Sequence, residues 1–379
     1  MKAMVTTRLY YMDNLRALAM LTGVFFHAAL AYSPKLQALW PAANTEQSLL
    51  LDWFSWFSHL FRMPLFFLIA GFFVAYLVAR RGVVGMLKNR ALRILLPFII
   101  FLPLCMVATF IPLLTATNEV ENKSAIMLMI LEAMQNPDAP RPPPTTMHLW
   151  FLYNLIYFCV LVWLLRIVNW QWASNFLARL TPGLFLLIIP LVLLPGALLI
   201  ASPKPAPESF IPQLWSFGFF GLFFVLGYWI FTQENFIARF NVYAFRILLA
   251  STALFALYYY HLPVQMDLMA PPLALWKKLL LAVCEVYIAL WMTLVCLIYA
   301  RQFLDSHHRW MRLIADSSYW IYIIHLPIIF ALQYPLMDKN WGVWAEYGLT
   351  LAATFAVGMA SYLLLVRWTP IGWMLNGRR

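Results

Sequence analysis

Ten apolar runs of about 18 to 28 residues follow one another along the chain, at roughly 14–33, 54–79, 94–114, 149–168, 183–201, 212–231, 242–260, 273–300, 317–334 and 344–367. A helix rising 1.5 Å per residue needs about 20 apolar residues to cross the hydrocarbon of a bilayer, so each run is long enough to span. The composition leaves no soluble alternative. Hydrophobic residues make up 64% of the 379 and charged residues 11%, and the mean hydropathy is +0.77. The expected fold is an all-α polytopic membrane protein of about ten transmembrane helices. It is expected to form one transmembrane domain over 1–379, with an extracytoplasmic loop at about 115–148.

The formal charge of +11 reads as topology rather than as a nucleic-acid surface. Of the 26 Lys and Arg residues, 17 lie in segments on the side of the N-terminus, seven lie on the other side, and Arg16 and Arg62 fall within spans. The positive-inside rule then puts both termini in the cytoplasm. The start of the chain also has the outline of a cleavable leader, ending at Ala29-Leu30-Ala31. The arginine inside the run and the nine matching spans favour a retained first helix. Cys105, Cys159, Cys284 and Cys296 all sit in apolar runs without metal-ligand spacing, so neither disulfides nor a metal is expected.

The first run carries the densest chemistry. Arg16 and His27 are eleven residues apart, three helical turns plus about 20°, and so project from one face about 16 Å apart along the axis. Asp13, one turn before Arg16, is placed to hold its guanidinium. An imidazole near mid-membrane is costly and points to a polar cavity, the bland alternative being a structural histidine bonded to a neighbouring helix. In the second run His59 and Arg62 share a face, Arg62 reading either as a buried cation or as one snorkelling to the outer boundary. Gly71, and Gly218, Gly221 and Gly227 in the sixth run, suggest close helix packing.

Between the second and third runs a basic loop, Arg80 to Pro97, holds Lys88, Arg90 and Arg93. Arg90 and Arg93 are one turn apart, a geometry suited to a phosphate-rich ligand. The polar excursion before the fourth run ends in a proline-rich stretch, expected to form a stiff extended lip that leads His148 and Trp150 to the outer mouth. Trp150 there reads equally as an interfacial anchor. Glu285 is the one buried acid of spans five to eight. In the ninth span Tyr322 and His325 are one turn apart, with Pro327 just beyond, at a depth comparable to His27. The loop with His307 and His308 reads as solvated surface.

These residues, in this order, resemble the membrane acyltransferase-3 family: Asp13 and Arg16-x10-His27, FRMPLFFLIAGFF at 61–73, Arg90-x-x-Arg93 followed by Pro97, HLWFL at 148–152 and SYWIYIIHLPI at 318–328. Within that family the chain is most similar to the branch that succinylates periplasmic glucans. The resemblance implies a multi-pass protein of the bacterial inner membrane. It implies O-acyl transfer from a cytoplasmic acyl-CoA, succinyl-CoA or acetyl-CoA, to a hydroxyl of an extracytoplasmic glycan. It further implies His27 as the activating base, and Arg16 orienting the donor or stabilising negative charge. Arg90 and Arg93, with Lys88 beside them, would bind the CoA phosphates. Arg62, His148 and Trp150 would line the acceptor path, and Tyr322 and His325 would brace the centre. Acyl-CoA enters as a co-substrate, with no permanently bound cofactor and no nucleic-acid partner implied. Direct transfer and a covalent acyl-histidine both remain compatible with the residues. The rival class is a transporter of a sugar or small anion that uses the buried Arg and His residues as its pathway. It predicts internal repeats, and no two-fold repetition is evident.

Overall fold

The computed structural model describes residues 10–136, 143–200, 204–233, 235–266 and 273–377. The prolines at 140 and 142, with Arg141 between them, lie outside the described residues. So do Lys2, Arg8, Arg378 and Arg379, which entered the charge count. Among the described residues all regular structure is helical, apart from an isolated bridge between Thr145 and Ser209.

The helices are α1 (Tyr10–Ala29), α2 (Leu49–Arg90), α3 (Leu96–Glu119), α4 (Ala125–Gln135), α5 (Trp150–Leu165), α6 (Gln171–Arg179), α7 (Pro182–Leu198), α8 (Leu214–Phe231), α9 (Ala244–His261), α10 (Leu275–Phe303), α11 (Arg309–Leu336), α12 (Val343–Ser361) and α13 (Pro370–Asn376). Among the described residues, eight helical stretches are long and apolar enough to cross a membrane. One of them, Leu49–Glu119, has 71 residues and would be about 107 Å long if straight, over three bilayer thicknesses. It is therefore two spans in one stretch, and α7, at 17 residues, falls just short of the same length. The ten predicted runs thus each coincide with a helix.

The junction between the second and third runs differs from the expected loop. The chain breaks at Gly82, whose φ of +68° and ψ of 172° suit only glycine, and is helical again to Arg90. A π-helical turn, Ala91–Leu95, then leads into α3. In the outer excursion, the part ahead of the proline-rich stretch holds α4, capped by Ser124, whose hydroxyl also donates to Pro41 O at 2.7 Å. Glu121 N and Asn122 N both donate to Asp338 at 2.9 Å, which docks this segment on the loop after α11.

Apolar side chains gain little from leaving lipid for a helix interface, so close backbone approach has to hold the bundle together. Gly71 and Gly227 do this between α2 and α8: a Cβ on Gly71 would collide with Phe224 O, and one on Gly227 with Leu68 O. Gly196 of α7 meets Gly218 of α8 in the same way. Helix α1 lies inside the bundle against α2, α10, α11 and α12.

Hydrogen bonds define the two ends. At one, Tyr11 N donates to Asp305 and Asn376 donates to Asp316 O, so the beginning and end of the described chain meet there. At the other, Asn44 donates to Glu346 Oε2 and Thr146 N to Glu208 O. Gly71→Val or Gly227→Val should each destabilise the protein by about 1–3 kcal/mol through overpacking. Gly183→Ala, whose Cβ would meet nothing within 4 Å, should not. Thermal unfolding in detergent checks this, and equal melting of all three variants would contradict it.

Candidate functional site

Helices α1, α2, α3, α5, α8, α10 and α11, with the loops at the end opposite Tyr10, line a cavity of about 300 Å³. Its walls bring together His27, His59, Arg62, His148, Trp150, Tyr322 and His325. The hydrogen bonds among them fix where each ring proton resides. His325 Nδ1 lies 2.7 Å from the carbonyl oxygen of Tyr322. A carbonyl only accepts, so Nδ1 carries the hydrogen, and Nε2 of the neutral ring keeps its lone pair. That lone pair faces His27 Nδ1 at 2.7 Å, with the two rings within 9° of coplanar. His27 therefore donates from Nδ1, and its Nε2 is left as a basic lone pair. Trp40 stacks on the His27 ring at 5.6 Å. The indole donates to Gln333, which in turn donates to Ala28 O, so the stacking ring is tied to α1 itself.

His148 is fixed by a proline. Pro327, inside α11, has no N–H to give the carbonyl of Ile323 four residues back. Inside a membrane protein such a freed carbonyl must find another donor. It accepts from His148 Nε2 at 2.9 Å and from Cys105 Sγ at 3.3 Å. Tyr322 OH donates to His148 O at 2.7 Å, and Met147, with φ of +49°, turns the chain inward just before it. His148 Nδ1 is then the lone-pair nitrogen, buried without a partner among the described residues. His148 and Trp150 are thus buried cavity walls rather than residues of an outer rim.

Arg62 does not snorkel. It is 6% exposed, its guanidinium lies over the Phe26 ring at 4.0 Å, and its Nη1 is buried without a partner. No carboxylate pairs with it among the described residues. Glu285 is taken by Lys204, 2.5 Å away, whose ammonium lies 4.4 Å from the centre of the Phe219 ring. Lys204, one of the seven cations that the charge count puts on the side away from the N-terminus, is buried, and its carbonyl accepts from His59 Nε2 at 3.1 Å. Thr145 donates to Glu208 Oε2 at 3.1 Å across the roof, where burial raises the Glu208 carboxyl above its ordinary value.

Arg16 belongs elsewhere. It faces Asp13 at 3.7 Å and lies over Phe73 at 5.4 Å, outside the cavity and within electrostatic reach of Arg90 and Arg93. The three guanidinium groups form a basic cluster at the Tyr10 end, while Lys88 is exposed. Tyr319 OH donates to Arg93 O at 2.8 Å, and α13 packs against the turn that carries Arg93. From there Tyr319, Tyr322 and His325 climb one face of α11 with ring centres 6.5 and 6.0 Å apart. The column joins the basic cluster to the histidine pair. His307 and His308 are exposed, as expected. Among the described residues no group of three His, Cys, Asp or Glu is arranged to hold a metal.

Trp40, Thr109, Lys204 and Glu208 line the cavity without any sequence signal marking them, because each comes from a loop or an unremarkable apolar helix. Replacing Pro327 by Ala gives Ile323 O a helical N–H and should displace His148. The expected result is an unchanged or raised unfolding temperature, with loss of the His148 Nε2–H resonance in nitrogen-edited spectra. An unmoved resonance would contradict the arrangement.

Comparison with known proteins adds an independent line. A family model described as an acyltransferase domain matches residues 9–363. Glucans biosynthesis protein C of Escherichia coli (strain K12) is 25% identical over 374 residues, covering 94% of this chain and 90% of the relative. The protein of the same name from Shigella dysenteriae serotype 1 gives the same figures. No solved structure matches.

Proposed function

This chain belongs to the membrane acyltransferase family, and on that premise we propose that it moves an acyl group, succinyl or acetyl, from acyl-CoA to a hydroxyl of a glucan. The single observation that carries the reading is the hydrogen-bond chain from Tyr322 O through His325 to His27. It leaves His27 Nε2 as a free base in a cavity that also holds an unpaired guanidinium.

In this reading Arg16, Arg90 and Arg93 hold the CoA phosphates at the cytoplasmic face of the bacterial inner membrane. The thioester extends along the tyrosine column toward the cavity. The acceptor enters from the periplasmic end, past Trp40 and the Thr145–Glu208 roof. His27 Nε2 takes the hydroxyl proton as the oxygen attacks the thioester carbon, and the carbonyl pair moves onto oxygen. Arg62 faces that charge with a hydrogen that no group among the described residues accepts. Collapse breaks the C–S bond, and the departing thiolate takes the proton from His27. When His27 is charged its Nδ1–H bond to His325 strengthens, so His325 positions and stabilises the base.

Succinyl-CoA and acetyl-CoA carrying a labelled acyl group, offered with glucan to purified protein in detergent, test the reading. Wild type is expected to label glucan. His27→Ala should bind donor but transfer at least about 10³-fold more slowly, since it loses the base in a site whose other groups remain. His325→Phe, which keeps the ring but removes the acceptor nitrogen, should cost about 10–100-fold with donor binding intact. Normal transfer by His27→Ala would overturn the assignment.

A further inference from the structure

Three buried polar atoms from three parts of the fold line the cavity without a partner among the described residues: Arg62 Nη1 from α2, His148 Nδ1 from the turn before α5, and Thr109 Oγ1 from α3. Resting on the acyl-transfer reading, we propose that Thr109 is a substrate-binding residue that forms with His148 a subsite for a second hydroxyl of the acceptor. The acceptor would then be a polyol rather than a simple alcohol.

The state of Thr109 is unusual for its own helix. Thr115 and Thr117, further along α3, turn their hydroxyls back onto the carbonyls of Ile111 and Leu113 at 3.1 and 2.7 Å, the ordinary way to satisfy a threonine in a membrane helix. Thr109 makes no such bond, although it is only 4% exposed. Thr293 and Thr354 also leave a buried hydroxyl unpartnered, but neither lines the cavity. Helix α3 packs on the turn that carries His148, Cys105 one turn before Thr109 shares Ile323 O with His148, and Thr109 and His148 both line the cavity.

What this wall binds follows from its donors and acceptors. Arg62 has only hydrogens to offer, and a thioester oxygen satisfies it. His148 has only a lone pair at Nδ1, because its Nε2–H is committed to Ile323 O. A thioester has no hydrogen to give that lone pair. The reacting hydroxyl has one, and His27 takes it. A ligand that satisfies His148 and Thr109 as well must bring a further polar hydrogen with an acceptor beside it, which the neighbouring hydroxyls of a sugar ring supply. A site built to bond such a hydroxyl discriminates strongly against an analogue that lacks it.

The test uses wild type, Thr109→Val and Thr109→Ser, with methyl glucoside and its monodeoxy analogues as acceptors. Because the hydroxyl has no partner to lose among the described residues, Thr109→Val should melt at or above the wild-type temperature. It should raise KM for methyl glucoside about 10-fold, the cost of one hydrogen bond, and leave KM for acyl-CoA unchanged. Thr109→Ser should restore the wild-type value. One monodeoxy analogue should lose its penalty in Thr109→Val, having no hydroxyl for the missing partner. An unchanged acceptor KM, a raised donor KM, or a lower melting temperature for Thr109→Val would overturn the subsite. Calorimetric titration of methyl glucoside alone separates this from the reaction assignment. If wild type transfers nothing, the acyl-transfer reading fails, and the subsite stands or falls on whether Thr109→Val weakens glucoside binding.

Discussion

The hydrogen bond between His27 and His325 is the interaction on which the rest of the cavity depends. Two neutral imidazoles in contact share one hydrogen, so fixing the tautomer of one fixes the other. The anchor is the carbonyl of Tyr322, a backbone group that cannot change its role. A carboxylate orienting a catalytic histidine would bring a charge into hydrocarbon. Here a helix carbonyl and a second ring achieve the same orientation without one, which suits a centre inside a membrane. The charge on Arg62 lies against an aromatic face and, among the described residues, has no acid to neutralise it.

Proline 327 shows how the bundle turns a helix defect into site geometry. The missing N–H frees one carbonyl, and the cheapest available remedy is a side-chain donor from another helix. That donor is His148, so the same residue that breaks the ladder of α11 sets the tautomer of a second cavity histidine. Glycines do the complementary work between α2 and α8, where their lack of a Cβ brings the backbones together and holds the cavity walls at fixed spacing. Lys204 and Glu285 close the remaining side as a buried pair, which removes both charges from competition for a ligand.

Much of this was legible in the sequence because hydrocarbon imposes a length. Ten runs of about the right size become ten helices, and the residues that violate the apolar rule, His27, Arg62, His148, Tyr322 and His325, meet in one cavity. What the pattern could not supply is distance in space between elements. For Arg16 and His27 the pattern did supply the separation, about 16 Å along one face of α1, but not that its two ends belong to a basic cluster and a cavity. Lys204 entered only as one cation of the charge count, because its partner, Glu285, is far away in the chain. Thr109 drew no notice in sequence, because the bond it does not make leaves no trace there. The basic segment after Gly82 read as a loop from its charges, though its residues form helix and π turn.

The tautomer of His27 tests the account most directly. Nitrogen chemical shifts of ¹⁵N-histidine-labelled protein, assigned by comparison with His27→Ala and recorded where the ring is neutral, separate a protonated from an unprotonated ring nitrogen. The structure predicts hydrogen on Nδ1 and a bare Nε2 at His27, with a coupling across the hydrogen bond to His325 Nε2. A His27 ring protonated at Nε2 would contradict it, because no base would then face the cavity.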